Sequence, residues 1–312
     1  MELDQNFVEA YSNRGAAYNK KGMIDRAIDD LNMAIRLKDD YVQAYINRAG
    51  TYLNKGKYNL AIKDCDVAIR LDKECAEAYN QRGSVYVGRK EYNRAIDDYD
   101  VAIQLKKNYP IAYYNRGIAY TNIGNFEDAI KDFKRATQFK TDYAEAYYNL
   151  GKAHFEVREV DLAIQGYTKA IELDNDLAKA YKNRGIIFLH IGEAELAGAD
   201  FNKVIQLLPN DASTYYIRAT QVWLHQREWE KAKADLTVSK SLGLEISTLF
   251  SRDFGGVNNF ERMMNIRLRA DIAAMLTSRK HCTKIKILSL ADYQNVTDSQ
   301  STSIRDSDNT VR

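Results

Sequence analysis

Apolar and small side chains recur along most of this chain at helical spacing, and the pattern itself repeats. Tyr11, Tyr45, Tyr79, Tyr113, Tyr147, Tyr181 and Tyr215 stand 34 residues apart. Four residues after each comes Gly15, Ala49, Gly83, Gly117, Gly151, Gly185 or Ala219, and three further on Tyr18, Tyr52, Tyr86, Tyr120, His154, Phe188 or Val222. Steps of four and three mark one face of a helix. A second series in the same register, Ala27, Ala61, Ala95, Ala129, Ala163 and Ala197, is followed seven residues on by Ala34, Ala68, Ala102, Ala136, Ala170 and Val204. It predicts a second helix. Between the two lie Gly22, Gly56, Gly124 and Gly192, where a helix would end in the left-handed turn that glycine adopts at least cost. Each period is therefore a helical hairpin. The small residues let its helices approach, and Leu31, Tyr99, Phe133, Tyr167 and Phe201 fill the seams.

A 34-residue unit with Tyr-x-x-x-Gly, then Tyr, then paired alanines resembles the tetratricopeptide repeat. The resemblance implies an all-α fold, a right-handed superhelical solenoid of antiparallel hairpins that binds protein or peptide partners. On this reading residues 1–7 end a preceding repeat, so that the chain begins inside one. Seven repeats follow over 8–246 (8–41, 42–75, 76–109, 110–143, 144–177, 178–211 and 212–246), then a helical capping segment over 247–280 and a polar, disordered tail over 281–312. The proline that commonly ends the second helix of such repeats is present only as Pro209. The seventh repeat carries one extra residue, expected in its internal turn near Gln226 to Glu228.

A charged pattern runs through the same register. Arg14, Arg48, Arg82, Arg116, Arg184 and Arg218 precede the Gly/Ala position, and the second helices carry Asp30, Asp64, Asp98, Asp132, Asp200 and Asp235. The fifth repeat loses both, to Leu150 and Gly166. Joint gain and loss within one molecule points to a bidentate, largely buried ion pair inside each hairpin, a structural role.

The resemblance also implies that first helices line a concave groove. One position before the arginine stand Asn13, Asn47, Gln81, Asn115, Asn149 and Asn183. An amide both donates and accepts, so a row at repeat spacing can pair with the backbone of an extended peptide; it is similar to the asparagine ladder of O-linked N-acetylglucosamine transferases. At about 0.5–1.5 kcal/mol net per bond, such a row supports only weak binding. Tyr114, Ile118, Tyr148, Phe155, Ile186 and Leu189, with Lys152, Lys179 and Lys182 beside them, would add selectivity for apolar anchors with acidic neighbours. The carboxylate clamp that other tetratricopeptide arrays use for chaperone tails is not met: it needs a set of lysine or arginine and asparagine over three consecutive repeats, and Ser12 and Ala16 stand in the first repeat, with Ile186 after Lys182.

Composition narrows the function. Lys+Arg number 45 against 43 Asp+Glu in 312 residues, a net charge of +2, so no global field draws the chain to nucleic acid or to an acidic membrane. No stretch reaches the roughly 20 apolar residues of a membrane span, and MELDQNFVEA lacks the blocks of a secretory signal; the expectation is a cytoplasmic protein. Three scattered cysteines and four histidines form no metal or disulfide framework. The triplet Asp253-Phe254-Gly255 lacks the other parts of a kinase site. Asn258 with Glu261 and the run Asp271 to Thr277 predict two short helices, Arg279, Lys280, His281, Lys284 and Lys286 form a basic cluster, and Lys284 to Leu290 alternates weakly. No enzyme, cofactor or metal is expected. The reading is a non-catalytic adaptor. A self-assembling homo-oligomeric scaffold and a regulatory array cut from a longer enzyme are the alternatives.

Overall fold

The computed structural model describes residues 5–264 and 266–277, which form two compact units that divide between Glu159 and Val160. Residues 1–4, the whole basic cluster, the alternating run Lys284 to Leu290 and the tail lie outside the described residues. The described residues are helical throughout, with no strand.

The first unit contains α1 (Gln5–Lys20), α2 (Ile24–Leu37), α3 (Val42–Asn54), α4 (Tyr58–Leu71), α5 (Ala76–Gly88), α6 (Tyr92–Leu105), α7 (Pro110–Asn122), α8 (Phe126–Phe139) and α9 (Ala144–Glu156). Odd and even helices pair as hairpins, and each even helix also packs on the next odd one. Odd helices touch their successors directly, α1 on α3 through α7 on α9, and so form the tighter layer of the stack. Close approach within a hairpin needs the missing side chain of the small series: a Cβ on Gly117 would come within 2.7 Å of the Phe133 ring. Where Ala49 occupies this place, the residue opposite shrinks to Cys65, and both are fully buried.

Hairpin turns are left-handed in every repeat, but not always on glycine. Gly22, Gly56 and Gly124 have φ of 71 to 80°. The third and fifth repeats put Lys90 (φ 61°) and Arg158 (φ 63°) there instead. Stacking of the hairpins overrides the local preference of these side chains.

The second unit contains α10 (Val160–Leu173), α11 (Ala178–His190), α12 (Ala194–Leu207), α13 (Ala212–Ile217), a π-helical stretch (Arg218–Trp223), α14 (Trp229–Ser241), α15 (Ile246–Phe254), α16 (Val257–Met264) and α17 (Ala270–Thr277). The extra residue of the seventh repeat sits in the π stretch, not in the turn. Leu224 N donates to the Ala219 carbonyl five residues back, which absorbs one residue while the helix continues. The turn then keeps its usual form, with Arg227 at φ 57°. In consequence Trp223, not Val222, lies over the Arg218 guanidinium as Tyr52 lies over Arg48, while Val222 joins the buried cluster of Ala197 and Phe201.

Helices α15 to α17 close over α14 and share one core with it, built around Leu236, Phe250, Phe254, Phe260 and Ile272. The kinase-like triplet is the end of α15. Phe254 joins Phe250 and Phe260 with ring centroids 4.7 to 5.2 Å apart, Asp253 accepts from the Tyr216 hydroxyl at 3.0 Å, and Gly255 takes the left-handed cap at φ 67°. Glu261 does not cap α16; its Oε1 accepts from Leu268 N at 2.7 Å in the link to α17.

Candidate functional site

The arginine series sets the frame. Nε and Nη2 of Arg48 donate to the two oxygens of Asp64 at 2.7 Å each, and Arg14–Asp30, Arg82–Asp98, Arg116–Asp132, Arg184–Asp200 and Arg218–Asp235 repeat the fork at 2.6 to 2.9 Å. The carboxylates are buried. Burial pushes the carboxyls of Asp98, Asp132 and Asp200 above the ordinary range, and the facing arginines only partly offset it.

Sequence reasoning missed a third contact. Nη1 of each inner arginine reaches back to the second helix of the preceding hairpin: Arg48 to Asn32 (2.6 Å), Arg82 to Asp66 (2.8 Å), Arg116 to Asp100 (2.5 Å), Arg184 to Thr168 (2.9 Å), and Arg218 to Asn202. One guanidinium thus ties three helices. The acceptor sits two residues after the clamp position of the preceding hairpin (Asp30, Asp64, Asp98, Gly166 or Asp200), and where the arginine is absent the acceptor place holds Lys134, which cannot accept. The joint change to Leu150, Gly166 and Lys134 was the signal available in the chain. Leu150 instead packs with Ala129, Phe133 and Ala153.

The amide row lies on the tighter layer of odd helices, and most of its donors are spent there. Asn47 Nδ2 donates to Ser12 Oγ (3.0 Å), Asn115 Nδ2 to Asn80 Oδ1 (3.1 Å), and Asn149 Nδ2 to both the Tyr114 hydroxyl (3.1 Å) and the Glu145 carbonyl (3.0 Å). Asn54 with Asn19 follows the same 35-residue step, at 3.0 Å. These bonds stitch one hairpin to the next. The row is therefore not one of amides open on both sides. Part of its acceptor half remains: Asn47 Oδ1 accepts from Gln43 Nε2 at 3.0 Å, whereas among the described residues Oδ1 of Asn115 and of Asn149 accepts no hydrogen bond, and the side chains of Asn13 and Gln81 make none. Asn183, in the second unit, reaches the Tyr167 hydroxyl at 3.5 Å.

The selectivity residues divide more sharply. Tyr148 is 3% exposed and Lys182 7% exposed, so neither lines a surface. Lys182 Nζ is a core cation, 2.8 Å from both Asp211 Oδ2 and Ser213 Oγ. Burial alone would raise the Asp211 carboxyl, but Lys182, Ser213 and Thr214 pull it below the usual range. Tyr114 turns its ring into the seam, 4.9 Å from Tyr143 and 5.9 Å from Phe133. Lys152, Phe155 and Lys179 stay half-exposed, and Asn149 and Lys152 share a face of α9 by their spacing of three.

Models of the tetratricopeptide repeat match residues 8–41, 42–75 and 148–212, and one described as TPR repeat matches 83–124 and 119–157. The chain belongs to the tetratricopeptide repeat family. Solved structures are similar to this chain to different extents. PilF of Pseudomonas aeruginosa is 18% identical, with a TM-score of 0.60 over 69% of this chain and 97% of its own. YrrB, described as a TPR protein with an unusual peptide-binding site, is 23% identical, with a TM-score of 0.50 over 60% of this chain and 97% of its own. MamA is 30% identical, with a TM-score of 0.45 over 53% of this chain and 96% of its own. No curated protein sequence matches the chain. These tetratricopeptide repeats make the protein an interaction module. No helix among the described residues is long and apolar enough to cross a membrane, and among them no group of three His, Cys, Asp or Glu could hold a metal ion.

Proposed function

We propose that the first unit acts as a non-catalytic adaptor that holds an extended segment of a partner protein along its odd helices. The observation that carries this reading is the pair of amide oxygens on Asn115 and Asn149 that accept no hydrogen bond, one repeat apart, each on an amide whose donor is already engaged. Acceptors in a row suit the backbone N–H groups of an extended chain. Lys152 favours an acidic neighbour in that segment, and Phe155 an apolar anchor. Gln81 and Asn13 continue the row toward α1, while Asn47 between them is engaged by Gln43 and Ser12. YrrB, which shares the fold, is a tetratricopeptide protein with a peptide-binding site. A peptide-array screen of the full chain against Asn115→Ala combined with Asn149→Ala tests the reading, with thermal unfolding confirming that the variant is folded. Loss of a subset of bound peptides is expected. Identical binding profiles would discard the adaptor face.

A further inference from the structure

The amide row has a direction and a step. Asn115 Nδ2 donates to Asn80 Oδ1 and Asn149 Nδ2 to the Tyr114 hydroxyl, and Asn80 and Tyr114 hold the same place on the preceding odd helix. The two amides are therefore turned the same way and present their oxygens alike, once per repeat. Gln81 stands one repeat earlier, its amide unengaged among the described residues. The carriers α5, α7 and α9 are successive packed helices, α5 on α7 and α7 on α9, with Cα atoms approaching within 8 Å. Packed helices have axes about 8–10 Å apart, and this spacing is the step of the row.

A chain laid across these helices must bring an N–H to the row at each step. A β-strand rises about 3.3 Å per residue and turns successive residues to opposite sides, so N–H groups on one side recur about every 6.6 Å, out of step with the row. A polyproline II helix rises about 3.1 Å per residue with three residues per turn, so N–H groups on one side recur about every 9.3 Å. That period fits. The chemistry agrees with it, because the amide nitrogens of Asn115 and Asn149 are already engaged and would serve the carbonyls of a bound strand poorly, whereas the backbone of polyproline II stays solvated. Two N–H groups in three are then unused, and proline, which lacks one, can take those places. Ile111 and Ile118 lie four residues before and three after Asn115, half-buried on the same face of α7. They offer apolar contact to proline rings; on α9 the same places hold Glu145 and Lys152.

We propose, resting on the adaptor reading above, that the segment held by the first unit is a polyproline II helix: a proline-rich stretch with a residue other than proline at every third position. Its N–H groups meet Gln81, Asn115 and Asn149 in turn, and its rings pack on Ile111 and Ile118. Such a segment is ordered before it binds, which lets a few weak hydrogen bonds hold it.

The test titrates the full chain by fluorescence anisotropy with three labelled dodecapeptides: four repeats of Pro-Pro-Ala, three repeats of Pro-Pro-Pro-Ala, and six repeats of Thr-Val. In the second peptide no two N–H groups are three or six residues apart, so it keeps the helix and loses the register. Saturable binding of the Pro-Pro-Ala peptide is expected, about tenfold or more tighter than that of the Pro-Pro-Pro-Ala peptide, and Asn115→Ala with Asn149→Ala should erase the difference. The protein is the same in both titrations, so loss of fold does not confound the comparison. Equal affinity for the two proline peptides overturns the proposal, because shape alone then decides. So does tighter binding of the Thr-Val peptide that the double variant abolishes, an outcome that keeps the adaptor face and makes its ligand a strand. Absence of saturable binding by the Pro-Pro-Ala peptide overturns it as well, and the peptide array decides separately whether the adaptor reading stands.

Discussion

The hairpin α7–α8 and the hairpin built from α13, the π stretch and α14 carry the same clamp at different chain lengths. Arg116 and Asp132 are 16 residues apart, Arg218 and Asp235 are 17, and both pairs make the same fork with a back-contact to the preceding helix. The extra residue of the later hairpin moved neither the clamp nor the turn. It was taken up in mid-helix, where i→i−5 bonding replaces the usual ladder. The added residue lies between the clamp at Arg218 and the turn at Arg227, so each keeps its own contacts while the helix between them widens.

The largest effect should come from the clamp. Arg116→Leu leaves Asp132 buried without its partner, and Asp132→Ala leaves the guanidinium with only Asp100; each should cost about 3–5 kcal/mol in urea unfolding of the full chain. The double variant should recover much of that, because the fifth repeat already does without both charges, with Leu150 and Gly166 in their places. Independent, additive losses in the double-mutant cycle would show that fork and burial are unrelated. Next in size is close approach. Gly117→Ala drives a methyl into the Phe133 ring and should cost about 1–3 kcal/mol. Ala219, at the equivalent place in the later hairpin, already coexists with the narrower Leu236, so Ala219→Gly should change stability far less. Equal effects at the two sites would mean that ring shape does not set helix spacing.

Hairpins, period and the arginine–aspartate register were legible because each is written several times over, and repetition separates signal from the accidents of one helix. Features that occur once were harder to read. The π stretch leaves no mark beyond a count of 35, which fits a longer turn as well as a bulge; only the Trp223 indole Nε1, 2.8 Å from Asp235 Oδ2, reveals which residue inherited the place over Arg218. Tyr148 and Lys182 were assigned to a surface because helical spacing gives a direction but no depth. The burial of Lys182 depends on Asp211, 29 residues away and outside the repeat pattern. The amide row was visible as a row, but not the Ser12, Asn80 and Tyr114 partners that consume its donors.

A smaller contrast lies in the turns. Gly124 ends α7 at φ 80°, while Arg227 takes the same place at φ 57° with a side chain that disfavours it. Arg227→Gly should therefore raise stability by about 0.5–1 kcal/mol, the left-handed strain relieved less the added freedom of the unfolded chain. Gly124→Lys should lower it by a similar amount. If both substitutions destabilise, the Arg227 side chain makes a contact worth more than its strain.

The smallest expected effect isolates the π stretch. His225 is half-buried against Phe260, with ring centroids 5.8 Å apart, and its Nδ1 meets the Thr220 carbonyl at 3.0 Å. A carbonyl can only accept, so Nδ1 carries the proton, and the neutral ring satisfies an oxygen within the widened turn. Burial lowers the His225 pKa, and the bond to Thr220 only partly opposes it. With the folded value below the unfolded one, this group contributes its full stability above the ordinary histidine pKa of about 6.5 and loses it as pH falls toward the folded value. The raised carboxyls of Asp98, Asp132 and Asp200 act the other way, stabilising most below the ordinary aspartate range, about 3.9, and less as pH rises through it. The two windows do not coincide. Lowering the pH from 7 to 5.5 should therefore reduce the melting temperature of the wild-type chain more than that of His225→Gln, whose amide can still donate to Thr220 without acquiring charge. The hairpin α7–α8 has neither a π stretch nor a histidine, so a Phe133 ring signal followed by NMR over the same range should stay still while Phe260 shifts. A variant that keeps the full pH dependence would place the titrating group elsewhere and leave the widened turn held by its backbone alone.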